Sequence, residues 1–114
     1  MGQARRDGMT TAGEGEILLT IFLKHDQAKT LDEILEQLDK TEFWTQFPPE
    51  GIDVVSWYVM MGIGQVVTLK LPGHRLREVN MAVERTAWKA FRTEFYPTYD
   101  FVPVWQRFRA ERSS

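Results

Sequence analysis

Two predicted strands that are apolar on both faces restrict the fold of this chain more than any other feature. The segment 16–25 reads EILLTIFLKH, and the segment 52–61 reads IDVVSWYVMM. Successive side chains of a strand point to opposite faces. In the second segment, one face carries Val54, Tyr58 and Met60, and the other carries Val55, Trp57, Val59 and Met61. Because a sheet with one solvated face alternates apolar and polar residues, this sheet requires cover on both sides.

The first half of the chain also contains a predicted helix and a short helical turn. Thr30 and Glu33 have the spacing of a capping box, in which each side chain binds a free backbone N–H of the other residue. Apolar residues then recur at helical spacing, at Leu31, Ile34, Leu35 and Leu38. A second helical turn is predicted over 41–47, and the two prolines that follow end it.

A hairpin is predicted in the middle of the chain. Gly62 and Gly64 mark a tight turn between the strand over 52–61 and a third strand over 65–71. A nucleotide-binding loop would join a strand to a helix, so these glycines are interpreted as turn residues.

The last part of the chain is predicted to contain a helix over 75–93 and a fourth strand over 98–104. The strand is expected at a sheet edge, because Pro103 cannot donate to a central ladder. As an alternative, Pro103 begins a short final helix that ends near Arg112.

The order strand, helix, hairpin, helix, strand is the βαββαβ order of a ferredoxin-like α+β fold. Its sheet is antiparallel, and both helices lie on one face. The simplest cover for the other face is the same face of a second subunit, so we expect a homodimer with a two-fold axis. We expect one domain over 16–114, after a disordered tail over 1–15 that has no apolar period.

The composition argues against several classes of function. The formal net charge is -2, whereas nucleic-acid-binding domains carry a basic excess, so no nucleic-acid partner is expected. With no cysteine and two histidines, the chain is expected to hold no metal and no other cofactor. No apolar run reaches the roughly 20 residues of a membrane helix. No signal-peptide core precedes the first strand, so a cytoplasmic location without a membrane partner is expected.

The stretches WYVMMGIGQVVTL over 57–69 and RTEFYPTYDF over 92–101 resemble those of small bacterial proteins of the dimeric α+β barrel superfamily. The resemblance covers 16–104 and rests on element order and on the two-sided apolar strands. This superfamily includes muconolactone isomerases, antibiotic-biosynthesis monooxygenases and stress-responsive barrel domains. The resemblance implies a homodimer whose two sheets close into a barrel, with a pocket between sheet and helices. Some members of the superfamily catalyse their reactions without a cofactor. No catalytic residue of a characterised member matches a position here.

The densest polar and aromatic cluster comprises Arg92, Glu94, Tyr96, Tyr99 and Asp100. In a functional site, Tyr96 and Tyr99 would hydrogen-bond a phenolic or keto ligand. Glu94 or Asp100 would move a proton, and Arg92 would hold an anion. In the structural interpretation, which is the more common one, Tyr-Pro-Thr-Tyr-Asp is a rigid turn in which Asp100 or Thr98 caps the backbone and the tyrosine hydroxyls lie at the surface.

Three further residues are candidates. His25 ends the first strand, and histidine is the commonest general base, although His25 and Asp26 also fit an ordinary polar loop. Trp57 and Tyr58 point to opposite faces of their strand, and each could line a pocket or serve packing alone. The predicted catalytic residues are His25, Glu94 and Tyr99, and the predicted ligand-binding residues are Trp57, Tyr58, Arg92 and Tyr96.

Three functions are consistent with these features. The first is a cofactor-free isomerase or monooxygenase that acts on a small aromatic or keto compound beside the sheet. The second is a non-catalytic module that binds a small apolar ligand in the same place. The third is a structural or interaction protein whose aromatic residues serve assembly alone. The first is ranked slightly ahead because of the superfamily resemblance.

Overall fold

The structure is a computed structural model that describes residues 15–113, so the predicted tail lies outside the described residues except for Gly15. The strands are β1 Glu16–His25, β2 Asp53–Met60, β3 Gly64–Pro72 and β4 Phe91–Thr98. The helices are α1 Leu31–Lys40, α2 Phe43–Gln46, α3 Leu76–Thr86 and α4 Val102–Ser113. A 3₁₀ turn over Gly73–Arg75 leads into α3.

The strands form one antiparallel sheet in the order β2-β3-β1-β4. The central strand β1 pairs with β3 on one side and with β4 on the other, and Ile21 lies opposite both Val67 and Phe95. This strand order is consistent with the predicted ferredoxin-like α+β fold. Within the described chain, the sheet is open and does not close into a barrel.

One face of the sheet packs against the helices and forms the core. Thr30 Oγ1 accepts a hydrogen bond from the Glu33 N–H at 3.1 Å, and Glu33 Oε1 accepts from the Thr30 N–H at 2.8 Å, which confirms the predicted capping box. The box begins α1 so that Ile34 and Leu38 point into the core. The buried strand side chains below the helices are Leu19, Ile21, Leu23, Val67, Leu69 and Leu71. Each contributes about 1.5–3 kcal/mol through burial.

The opposite face of the sheet is covered by neither α1 nor α3, and we call it the open face. From the strand pairing, its side chains are Leu18, Thr20, Phe22 and Lys24 of β1, Val66, Thr68 and Lys70 of β3, Ser56, Tyr58 and Met60 of β2, and Arg92, Glu94, Tyr96 and Thr98 of β4. Thr20 Oγ1 lies 2.9 Å from Thr68 Oγ1 and 3.0 Å from Thr98 Oγ1, which forms a row of hydroxyl groups across three strands. The open face therefore mixes large apolar groups with polar ones, and the three threonines are hydrogen-bonded to one another.

The fourth strand was predicted wrongly over 98–104, because β4 is Phe91–Thr98. The helix predicted over 75–93 also ends earlier, at Thr86. Phe91 lies four residues after Ala87 and therefore fits the helical stripe. Because of this match, the helix was extended over residues that also alternate as a strand. Phe91, Thr93 and Phe95 lie on the helix face of the sheet.

The alternative for the C-terminal segment is confirmed. Residues Val102–Ser113 form the helix α4, which begins one residue before Pro103. Asp100 Oδ1 accepts a hydrogen bond from the Val102 N–H at 2.9 Å, which confirms Asp100 as a capping residue. The predicted turn is wrong for Tyr96, Pro97 and Thr98, because these residues pair with β1 as the end of β4.

A β-bulge in β2 corrects one predicted face. The pairing of β2 with β3 shifts between Val54 and Ser56. Val54 lies opposite the buried Leu69 and therefore faces the helix side, whereas Tyr58 lies opposite Val66 on the open face. A bulge inserts one extra residue and reverses the alternation beyond it, so a strict period of two placed Val54 on the wrong face.

Candidate functional site

A cavity of about 240 Å³ lies between the end of β1, the helix α1 and the β2–β3 turn. Its wall is mainly apolar and includes Leu31, Leu35, Trp44, Val59, Ile63 and Phe91. The polar side chains in the wall are those of His25 and Gln65. We call this cavity the His25 pocket.

His25 is the chemically distinctive group of this pocket. Its Nε2 atom is buried and makes no hydrogen bond to another residue within 15–113. The backbone N–H of His25 donates to the Ile63 carbonyl at 2.7 Å, which ties the strand end to the hairpin turn. A buried polar atom without a partner costs about 1–3 kcal/mol. A compound that hydrogen-bonds Nε2 would therefore gain free energy from this contact.

The shape of the pocket depends on a close backbone approach at Gly64. A Cβ atom at this position would lie 2.1 Å from the Leu23 carbonyl oxygen, and the φ of Gly64 is +151°. Only glycine fits without a shift of the hairpin. The sequence identified Gly64 as a turn residue, but it carried no signal that the turn would also contact β1 and border a cavity.

Trp57, a predicted ligand-binding residue, lies beside the pocket but not in its wall. Its indole Nε1 donates to Gln65 Oε1 at 2.6 Å. The ring packs edge-on against Phe43 and Phe47, with centroid distances of 6.1 Å and 5.8 Å. Trp57 therefore holds the pocket residue Gln65 in place while it fills the core.

Glu94 and Tyr96, two other predicted site residues, form a hydrogen-bonded group on the open face. Lys24 Nζ donates to Glu94 Oε2 at 2.9 Å, and the Tyr96 hydroxyl donates to Glu94 Oε1 at 2.9 Å. These hydrogen bonds, chiefly the one from Lys24, hold the pKa of Glu94 below its ordinary value, and Glu94 raises the pKa of Tyr96. A carboxylate with a lowered pKa is a weaker base, so this arrangement does not favour proton abstraction by Glu94.

Tyr58 and Tyr99 line a shallow groove of about 530 Å³ on the open face. Leu18 and Thr98 form its floor beside the start of α4. Arg92 lies outside this groove, at the far end of β4 opposite Lys24, where it lines a second cavity with Glu94. The ligand-binding residues predicted from the sequence thus fall in three different places.

The structure does not bring the three predicted catalytic residues together. His25 faces the helix side, and Glu94 lies on the open face. Tyr99 follows Thr98, which pairs with Leu18 near the other end of β1. His25 lies seven positions along β1 from Leu18, which corresponds to about 23 Å. These residues cannot act on one ligand within one subunit.

Sequence reasoning missed most of the wall of the His25 pocket. Leu31 and Leu35 were assigned to the apolar stripe of α1, yet they are 61% and 39% exposed. The sequence does contain a signal for this wall, because the apolar stripe of α1 is wider than a helix needs in order to pack on one sheet. Trp44, an exposed indole on α2, carried a similar signal.

Comparison of this chain with protein-family models, curated proteins and solved structures finds no match. The superfamily resemblance therefore remains a prediction. Among residues 15–113, no group of three or more His, Asp or Glu side chains is arranged to hold a metal ion. No helix in this range is long and apolar enough to cross a membrane.

Proposed function

We propose that this protein is a homodimer that binds a small, mainly apolar compound in the His25 pocket. His25 carries the proposal, because it lines an apolar pocket and its buried Nε2 atom has no hydrogen-bond partner among residues 15–113. An apolar cavity of roughly 150 Å³ holds benzene, so a cavity of about 240 Å³ suits a one-ring aromatic compound with one polar substituent. A small rotation of the His25 ring would bring its buried Nε2 atom to a hydroxyl group of such a compound, or to a keto oxygen when Nε2 carries the ring proton.

The chemistry that this geometry supports best is proton transfer by a single histidine. With Nε2 unprotonated, a neutral imidazole can take a proton from the carbon beside a carbonyl group and return it to another atom of the same compound, which isomerises a keto compound without a cofactor. In this step Nε2 is the base and does not donate a hydrogen bond to the keto oxygen. His25 is the one titratable side chain among the described residues of the pocket wall. This observation favours an isomerase that needs one base, and it also supports the alternative of a binding module without catalysis.

The homodimer is proposed to form through the open face. Phe22, Tyr58 and Val66 lie on this face, and burial of apolar area drives most protein association. The Lys24–Glu94 ion pair on the same face is complete within one subunit, so its charges do not oppose contact with a copy. The His25 pocket lies on the other face and stays accessible in such a dimer.

An NMR titration with acetophenone and phenol tests binding in the His25 pocket. We expect saturable shifts of amide signals from α1 and from the 61–65 turn, and a change of the His25 ring signals. His25→Gln should weaken binding, and His74→Gln is the matched control, because His74 is exposed in the 3₁₀ turn. Equal binding by both variants, or no shift at any concentration, would contradict the proposal.

Deuterium exchange separates catalysis from binding. An isomerase with His25 as its base should speed the exchange of the acetophenone methyl protons in D₂O, and His25→Gln should remove this acceleration. Binding without faster exchange would support the binding module. Absence of both acetophenone binding and faster exchange would support the structural function. Leu35→Trp, which would fill the pocket, should then leave the NMR signals and the exchange rate unchanged.

A further inference from the structure

Gln65 contributes a side-chain amide to the wall of the His25 pocket. The Nε1 group of Trp57 donates a hydrogen bond to Oε1 of this amide at 2.6 Å. An indole N–H can only donate, so the amide must turn its oxygen toward Trp57 and its NH₂ group away from it. The indole therefore fixes which end of the amide another molecule can meet.

Trp57 is held firmly enough to impose this orientation. Its ring packs edge-on against Phe43 and Phe47, and these two rings are 1% and 3% exposed. Side chains that are locked by packing can keep the groups of a site within about 0.5 Å of a productive position. The orientation of the Gln65 amide is thus set by the aromatic core before any ligand binds.

The NH₂ group of Gln65 is left without a partner in the part of the chain that the structure describes. Its Nε2 atom makes no hydrogen bond to another residue within 15–113, and the Gln65 side chain is half-buried. Nε2 is also not one of the buried polar atoms that lack a partner, so it is accessible. A carbonyl oxygen in the pocket can therefore accept a hydrogen bond from it.

The register of the sheet sets this amide beside His25. Leu23 lies opposite Gln65 in the pairing of β1 with β3, so His25, two residues further along β1, is a diagonal neighbour of Gln65. Diagonal neighbours on one face of a sheet lie about 7–8 Å apart. Both side chains line the His25 pocket, so one small molecule can contact both.

We propose that Gln65 determines the specificity of the His25 pocket and that its NH₂ group selects uncharged compounds with a carbonyl oxygen. Trp57 is a positioning residue that acts through Gln65. The inference rests on the proposed function and narrows its ligand class. A carboxylate is disfavoured, because the described wall contains no lysine or arginine to pair with its charge.

The same contact gives the keto oxygen a donor while His25 acts as the base. When Nε2 of His25 takes a proton from the carbon beside the carbonyl group, the electron pair of the broken C–H bond forms the enolate, and negative charge grows on the oxygen. The NH₂ group of Gln65 donates to that oxygen, and the proton then returns from His25 to the compound. Side-chain amides stabilise developing oxyanions in this way.

Paired titrations with acetophenone and α-methylstyrene test the selection. The two probes have nearly the same shape, but α-methylstyrene carries a CH₂ group in place of the carbonyl oxygen. The ratio of dissociation constants, acetophenone over α-methylstyrene, should rise about 5-fold in Gln65→Leu, which corresponds to one lost neutral hydrogen bond. A general change in pocket shape affects both probes and largely cancels in this ratio.

Two further variants complete this measurement. Gln65→Glu keeps the size of the side chain and the acceptor for Trp57 but removes the NH₂ donor, so it should raise the same ratio. Gln106→Leu, at an exposed position of α4, is the matched control and should leave the ratio unchanged.

Trp57→Phe tests the positioning by the indole. This variant keeps an aromatic ring in the core but removes the N–H donor, so the Gln65 amide can turn its oxygen toward the pocket. Phenol, whose hydroxyl group donates, should then gain about 3-fold in affinity relative to acetophenone. In the wild type, the side-chain NH₂ signals of Gln65 should move further in the NMR spectrum with acetophenone than with α-methylstyrene.

The results distinguish this inference from the proposed function. Saturable binding of both probes with an unchanged ratio in Gln65→Leu would overturn the selection by Gln65 and leave the His25 pocket standing. Absence of binding by the wild type would overturn both. An unchanged preference between phenol and acetophenone in Trp57→Phe would overturn the positioning by Trp57. Tighter binding of benzoate than of acetophenone would overturn the uncharged ligand class.

Discussion

At the scale of single residues, the two glycines of the β2–β3 turn have different functions. Gly62 has a φ of +80° and open space where a Cβ would lie, whereas a Cβ on Gly64 would collide with the Leu23 backbone. We expect Gly62→Ala to lower the free energy of unfolding by about 1 kcal/mol through backbone strain. Gly64→Ala should lower it by about 3 kcal/mol or more, because a steric clash is added. Urea denaturation measures both, and equal losses would contradict this explanation.

Glu42 is a strained position that glycine should improve. It follows the end of α1 with a φ of 61°, a conformation that glycine adopts without cost. We expect Glu42→Gly to raise the free energy of unfolding by up to about 1 kcal/mol. Glu36→Gly, in the middle of the same helix, should lower it by about 1 kcal/mol. Thermal unfolding of the two variants should therefore shift in opposite directions.

The hydrogen-bonded group around Glu94 predicts a dependence on pH. The pKa of Glu94 is lowered in the folded state, so the interactions with Lys24 and Tyr96 stabilise the fold above the ordinary carboxyl pKa. This stability is lost as the pH falls through the lowered pKa. NMR titration of the Glu94 carboxyl should show its pKa rising toward the ordinary value in Lys24→Met. Tyr96→Phe should cause a smaller rise, because Lys24 is the larger cause.

At the scale of elements, the capping box of α1 connects local sequence to the pocket wall. Thr30→Ala removes the side-chain acceptor for the Glu33 N–H, and we expect a loss of about 1 kcal/mol in the free energy of unfolding. The start of α1 carries Leu31 into the His25 pocket, so the same variant should loosen the pocket and weaken acetophenone binding. Thr45→Ala, on the exposed surface of α2, serves as the control and should change stability by less than about 0.5 kcal/mol.

At the scale of the whole molecule, the two faces of the sheet predict two independent equilibria. The His25 pocket lies on the helix side, and the proposed dimer forms through the open face. The midpoint of thermal unfolding should rise with protein concentration, because dimerisation stabilises the folded state by mass action. A saturating pocket ligand should add a further increase that does not depend on protein concentration. If the increase in the unfolding midpoint caused by the ligand changed with protein concentration, the pocket and the interface would share an element.

The sequence by itself determined most elements of this protein. Local signals placed β1 at Glu16–His25 and α1 after Thr30, because an apolar strand run and a capping box depend on neighbours in the chain alone. The two-sided apolar pattern led to an α+β sheet with helices on one face. The boundary between α3 and β4 failed, because Phe91 satisfies a helical and a strand period equally well.

Only the tertiary structure decided which side chains meet. The pairing of β1 with β3 and β4 joins residues 40 to 80 positions apart and sets His25 and Glu94 on opposite faces. The bulge after Val54 reversed part of β2, and the close approach of Gly64 to Leu23 shaped the pocket. Such contacts depend on register and on three-dimensional packing, which no local pattern encodes. The sequence therefore supplied a list of reactive residues, and the packing separated them, with His25 in the wall of an apolar pocket between the sheet and α1 and with Glu94 on the open face.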